Sequence, residues 1–102
     1  MWIEVCNLDA FPERTVRTIE VEGLSIAVFR LADGRLCAIE DRCPHRGARL
    51  SRGLVYGDDK VACLDHGWSV RLTDGGVEDP EQGCVKTFAV VIDNGVVRVL
   101  VS

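Results

Sequence analysis

The chain has 102 residues, 47% of them hydrophobic, and a formal net charge of −4. That is apolar material for one core, so a single domain spanning 1–102 is expected. The acidic balance argues against nucleic acid, whose partners carry a basic stripe. No apolar run approaches 18 residues and no leader-like segment stands at Trp2-Ile3-Glu4, so the expectation is a soluble, cytoplasmic protein without a membrane partner.

In chain order, short alternating runs are separated by turn signals, and no helical period lasts beyond a turn or two. Trp2 to Val5 reads as a first strand, and the segment from Asn7 to Glu13, with Pro12, as a connection. Arg14 to Val21 alternates and meets a tight turn at Glu22-Gly23. Leu24 to Arg30 follows, then Asp33-Gly34, a hairpin dipeptide expected to place both central residues at positive φ. Arg35 to Ile39 returns.

Leu54-Val55-Tyr56, Lys60-Val61-Ala62 and Trp68 to Leu72 are shorter runs, divided by Gly57-Asp58-Asp59 and closed by Asp74-Gly75-Gly76. A Pro- and Gly-containing loop covers Glu78 to Gly83. Thr87 to Ile92 and Val96 to Val101 read as a C-terminal hairpin around Asp93-Asn94-Gly95. The pattern predicts an all-β fold, an antiparallel β-sandwich or small barrel.

The five cysteines are an odd number for a disulfide framework. Cys6, Cys37 and Cys84 lie in or beside apolar runs and are expected to act as small buried hydrophobes. The other two keep different company. Cys43-Pro44-His45 and Cys63-Leu64-Asp65-His66 contain both histidines of the chain, giving a Cys-x-His and a Cys-x-x-His pair on two loops. Two thiolates with two imidazoles suit zinc or an iron–sulfur cluster rather than calcium or magnesium. Zinc sites usually draw their close pairs as Cys-x(2–4)-Cys and His-x(3–5)-His. One Cys and one His from each loop is the arrangement in which two histidines replace two cysteines on one iron of a [2Fe–2S] centre.

This stretch therefore resembles the Rieske family. The resemblance implies a [2Fe–2S] cofactor in a two-loop cluster-binding subdomain (about 41–72), with Cys43 and Cys63 on the inner iron and His45 and His66 on the outer one. Neutral ligands in place of anions raise the potential above that of all-cysteine clusters, which lie near about −400 mV. High-potential members carry an extra cysteine in each loop, where this chain has Ala48 and Asp65. They also place a serine two residues, and a tyrosine four residues, beyond the second histidine, where this chain has Trp68 and Val70. Without those hydroxyls the expected potential is about −150 mV or below. Pro44, Gly47 and Gly67 are read as shaping the loops, with close backbone approach at Gly67. Arg42, Arg46, Arg49, Arg52 and Arg71 form either an ordinary solvated surface or a cationic collar for an acidic redox partner.

Beyond the ligands, Leu50-Ser51-Arg52-Gly53-Leu54-Val55, Lys60-Val61-Ala62-Cys63 and Asp79 to Thr87 look like the small subunit of assimilatory NAD(P)H-dependent nitrite reductase. That likeness implies a large partner subunit with flavin, a [4Fe–4S] cluster and sirohaem, in which nitrite becomes ammonia. The alternatives are the ferredoxin of a ring-hydroxylating dioxygenase system, served by a ferredoxin reductase and an oxygenase, and a structural zinc-binding interaction module. No catalytic constellation is visible, since both histidines are committed. The expected role is one-electron transfer.

Overall fold

The computed structural model describes residues 1–44, 47–65, 67–78 and 83–101. Its strands are β1 (Trp2–Asn7), β2 (Thr15–Val21), β3 (Leu24–Arg30), β4 (Leu36–Glu40), β5 (Leu54–Tyr56), β6 (Lys60–Ala62), β7 (Ser69–Arg71), β8 (Thr87–Phe88), β9 (Val90–Asp93) and β10 (Val96–Leu100). They form three antiparallel sheets, ordered β1-β10-β9, β2-β3-β4-β8 and β5-β6-β7. Two single 3₁₀ turns, Leu8–Ala10 and Leu50–Arg52, complete the regular structure. The all-β expectation is met. Among the described residues no helix is long and apolar enough to cross a membrane.

The sequence of β3 explains the layering. Ile26-Ala27-Val28-Phe29 is buried throughout, as a strand covered on both faces must be. Successive side chains point to opposite faces. Ile26 and Val28 join Phe11, Val97 and Val99 in one core, while Ala27 and Phe29 join Leu50, Val61 and Val70 in another. Strand β4 repeats the split, with Ala38 in the first core and Ile39 in the second. The four-stranded sheet is thus a shared wall. Each fully buried Phe, Ile or Val contributes about 1.5–3 kcal/mol, so both faces stabilise the wall.

Two hairpins behave as read. Glu22-Gly23 and Asn94-Gly95 each place both residues at positive φ (50° and 82°; 52° and 77°), matching the strand twist. Asp33-Gly34 does not. Only Gly34 is left-handed (φ 90°); the Leu31 N–H donates to the Arg35 carbonyl at 2.8 Å and the Gly34 N–H to the Leu31 carbonyl at 2.9 Å. The loop is one residue longer than a two-residue turn, so one left-handed position closes it.

The C-terminal run also divides. Thr87–Phe88 pairs with Ile39 and Ala38, filling the edge of β4, whereas β9 pairs with β10. The chain changes sheets at Ala89, whose carbonyl accepts from the Leu100 N–H at 2.9 Å. A single apolar run cannot reveal such a crossing, because each half satisfies the same alternation.

Candidate metal centre

Strand β4 leads through Asp41 and Arg42 to Cys43, and β6 leads directly to Cys63. Both cysteines are buried, with 1% and 2% of their surface exposed, in the core that holds Leu50, Val61 and Val70. The loops they open are built alike. The Cys43 N–H donates to the Ala48 carbonyl (2.7 Å) and the Gly47 N–H returns to the Cys43 carbonyl (2.8 Å). In the second loop the Cys63 N–H donates to the Trp68 carbonyl and the Gly67 N–H to the Cys63 carbonyl, both at 2.8 Å. Gly47 and Gly67 close the two loops at φ 76° and 71°. His45 and His66 lie outside the described residues; the sequence places one in each loop.

The necks of the loops are secured differently. Below the second, β6 and β7 pair with Ala62 opposite Ser69. Below the first, no strand pair is present among the described residues. Instead Asp41 reaches across, accepting from the Ser51 N–H and the Ser51 hydroxyl, each at 2.7 Å, and from the Arg49 guanidinium at 3.3 Å. Nothing in the spacing set Asp41 apart from the other carboxylates, and sequence reasoning missed it.

A third segment adjoins the first loop. A Cβ built on Gly83 would lie 3.7 Å from the Pro44 ring, so the chain just beyond residues 79–82 packs on that loop. Just before them, Glu78 pairs with Lys60 at 3.1 Å and with Arg71 at 2.9 Å, and its N–H donates to the Ser69 carbonyl at 2.8 Å. Both flanks of 79–82 are therefore fastened beside the cysteine loops.

Electrostatics thin the expected collar. Arg49 is ion-paired with Asp41 and Glu20, and Arg71 with Asp74 and Glu78. Arg42 lies exposed beside Gly47, Arg52 is exposed, and Arg46 is outside the described residues. Lys60 first, and Arg71 after it, hold the Glu78 carboxyl below its ordinary value. The hydrogen bond from Ser25, then that from Arg49, does the same for Glu20.

Several expectations change. Cys84 is exposed rather than buried, because it bridges to Gly76 outside the cores. Cys6 and Cys37 are half-buried against the two cores, and burial pushes the Cys37 thiol up. A Cβ on Gly67 meets nothing within 4 Å among the described residues, and the Gly67 N–H donates to the Cys63 carbonyl. Its left-handed φ is what requires glycine. Trp68 packs against the cysteine core.

Comparison with known proteins follows the same line. A family model described as the Rieske [2Fe-2S] domain matches residues 1–89. Protein TIC 55, chloroplastic, of Arabidopsis thaliana is 34% identical over 110 residues, covering 99% of this chain and 20% of that protein. The chain spans 13–26% of the lengths of the curated relatives compared. A chain in the complex of reduced oxygenase and oxidised ferredoxin of carbazole 1,9a-dioxygenase is 30% identical with a TM-score of 0.87, covering 96% of this chain and 91% of that one. A proposed small subunit of an NADPH nitrite reductase is 28% identical with a TM-score of 0.84, covering 99% of both chains. Two buried thiols at the mouths of twin loops, with one imidazole per loop in the sequence, suit a centre that takes sulfur on one iron and nitrogen on the other.

Proposed function

The chain belongs to the Rieske [2Fe–2S] domain family, and from that premise we propose that residues 1–102 form one cluster domain serving as the electron-carrying small subunit of an NAD(P)H-dependent nitrite reductase. The family's cofactor is a [2Fe–2S] cluster and its chemistry is electron transfer. In this reading Cys43 and Cys63 supply thiolates to one iron and His45 and His66 supply neutral imidazoles to the other. When bound, the cluster supplies a site that takes up and releases one electron.

The chain's own residues do the rest. The apolar core around Cys43 and Cys63 keeps water from the thiolates. The paired hydrogen bonds within each loop fix that loop's turn around its cysteine. The observation that carries the ligand assignment is the duplicated loop: two buried cysteines, each followed four residues later by a left-handed glycine that donates back to it.

The nitrite reductase assignment is supported by the likeness over 99% of both chains and by the segments Leu50 to Val55 and Asp79 to Thr87. Its setting is cytoplasmic nitrate assimilation, with a large flavin and sirohaem subunit as partner. A ferredoxin role in a ring-hydroxylating dioxygenase system is the second reading, favoured by the 30% identity to a chain of the carbazole dioxygenase complex.

One sequence of experiments separates them. The purified protein should be brown, with low-temperature EPR of the reduced form giving the lower average g of a mixed sulfur and nitrogen ligand set. A colourless, zinc-containing protein refutes the cluster assignment. The loaded protein is then combined with the nitrite reductase large subunit, NAD(P)H and nitrite, and separately with a ferredoxin reductase and ring-hydroxylating oxygenase. Ammonium formation that depends on this chain supports the first role. Substrate hydroxylation without ammonium formation assigns the second.

A further inference from the structure

Asp41 is the one charged residue buried among the described residues, and its side chain exposes no surface. Three donors meet it: the Ser51 N–H at 2.7 Å on Oδ1, and on Oδ2 the Ser51 hydroxyl at 2.7 Å and Arg49 Nη1 at 3.3 Å. Its own N–H donates to the Ser25 carbonyl at 2.9 Å. Residue 41 is thus fixed on one side to β3 and on the other to the 3₁₀ turn Leu50–Arg52. Between those anchors runs the loop that contains Cys43.

The clamp calls for an acceptor at both oxygens, which a carboxylate supplies: an asparagine could accept from the Ser51 N–H, but its amide nitrogen would face the Ser51 hydroxyl and Arg49. A buried carboxylate is costly even when paired, and here the countercharge is imperfect. The Arg49 side chain is 44% exposed and shares itself with Glu20. Water screens its positive charge more than it screens the enclosed negative one. The Asp41–Arg49 pair therefore contributes a net negative field at the first loop. A negative field beside a centre that gains an electron disfavours the reduced form.

We propose that Asp41 is a positioning residue that closes the neck of the first ligand loop, and that its buried charge holds the cluster's reduction potential down. The inference rests on the ligand assignment made above.

The test uses the cluster-loaded protein and its variants Asp41→Asn, Ser51→Ala and Arg49→Ala, read by cluster content per chain, by EPR and by potentiometric titration. Asp41→Asn should raise the midpoint potential, since the side-chain size and the bond from the Ser51 N–H can stay while the charge goes. Arg49→Ala should lower it, since the partial countercharge goes. Ser51→Ala keeps the charge and removes a donor, so it should reduce cluster content while moving the midpoint less than Asp41→Asn. A raised midpoint in Asp41→Asn with a lowered one in Arg49→Ala, and an unaltered EPR signature, support the inference, and the reversed pair overturns it. An unmoved midpoint in Asp41→Asn, or shifts of the same sign in both, overturns it and reduces Asp41 to a structural clamp. If Asp41→Asn takes up no cluster, Arg49→Ala decides: a lowered midpoint supports the charge effect and an unchanged one removes it. Wild-type protein lacking a Rieske spectrum refutes the ligand assignment instead, which keeps the two failures distinguishable.

Discussion

Gly47 and Gly67 hold the same place in two loops of different sequence. Each lies four residues beyond a buried cysteine, turns left-handed, and donates to that cysteine's carbonyl at 2.8 Å. The left-handed conformation costs an L-residue roughly 1–2 kcal/mol. Gly67→Ala should therefore lose about 1 kcal/mol from φ alone, since a Cβ meets nothing within 4 Å. Gly47→Ala should lose somewhat more, because its Cβ would sit 3.2 Å from the Arg42 Nε. Urea denaturation of the two variants and of the double variant Arg42→Ala/Gly47→Ala checks this; removing Arg42 should erase the difference. Equal losses in the two single variants would show that the Arg42 contact carries no strain.

Gly53 is required for another reason. Its φ of −76° suits any residue. A Cβ there would drive into the Ala62 carbonyl and come within 2.8 Å of Val61 Cγ2. That contact lies where the 3₁₀ turn enters β5 beside the strand leading to Cys63. Overpacking of this kind costs typically 1–3 kcal/mol, and backbone cannot swing aside as a side chain can. Gly53→Ala should therefore lower the urea midpoint more than Gly67→Ala does, despite the easier backbone conformation. The reverse order would mean that β5 can shift away from β6 cheaply.

The reasons for these glycines mark how far the sequence could be read. Alternation found the strands, because each strand covers a core with every second residue. That Ile26 to Phe29 is covered on both faces shows only once the two cores are seen on either side of β3. The Cys and His spacing pointed to the two loops, because ligands for one centre must come from few, short, fixed segments. What escaped depended on partners distant in the chain. Asp41 gains its meaning only from Ser51 and Arg49, and Gly53 only from Ala62. Spacing leaves Arg49 and Arg71 equally open to a solvated surface or a collar, and only their neighbours Glu20, Asp41, Asp74 and Glu78 show that they are ion-paired. The sheet change at Ala89 is invisible to periodicity, since both halves of the run alternate correctly.

Acid should loosen the support beneath the second loop. The Glu78 carboxyl lies below its ordinary 4.5 in the folded chain, through Lys60 first and then Arg71. A depressed carboxylate contributes stability that is present above pH 4.5 and lost as pH falls through its folded value. The partner ammonium behaves oppositely: Lys60 is raised above 10.5, so its share is present below pH 10.5 and lost as pH rises through the folded value. Both groups meet water, so the effect is modest. Thermal melts of wild type and Glu78→Gln across pH 3 to 6 test it, and the difference between them should shrink toward the acid end. A constant difference would assign the stabilising role of Glu78 to hydrogen bonding rather than charge.

Thiol labelling should rank the five cysteines. Cys84 is exposed and should react with a maleimide first. Cys6 and Cys37 are half-buried, and burial raises the Cys37 thiol, which leaves less thiolate to attack. Cys43 and Cys63, at 1% and 2% exposure, should react last, and only after a chelator has stripped the cluster. Peptide mass spectrometry over a time course gives the order. Labelling of Cys43 and Cys63 in brown, cluster-loaded protein would contradict the proposed ligand set directly.

The potential itself turns on two side chains that lack hydroxyls. Val70 is fully buried in the core that holds both cysteines, and Trp68 packs against that core. Ser69, which lies between them, stands on the strand face opposite Val70, and its hydroxyl accepts from Tyr56. Hydrogen bonds to cluster sulfur stabilise the reduced state, so the lack of a hydroxyl at residues 68 and 70 should leave the midpoint at the low end of the Rieske range, about −150 mV or below. Trp68→Ser returns a hydroxyl but also removes an aromatic from the loop's base. Trp68→Ala removes the same packing and adds nothing, so the gap between the two variants isolates the hydroxyl. The midpoint of Trp68→Ser should lie above that of Trp68→Ala in a potentiometric titration. Coincident midpoints would mean that the second loop does not bring residue 68 within reach of the sulfurs.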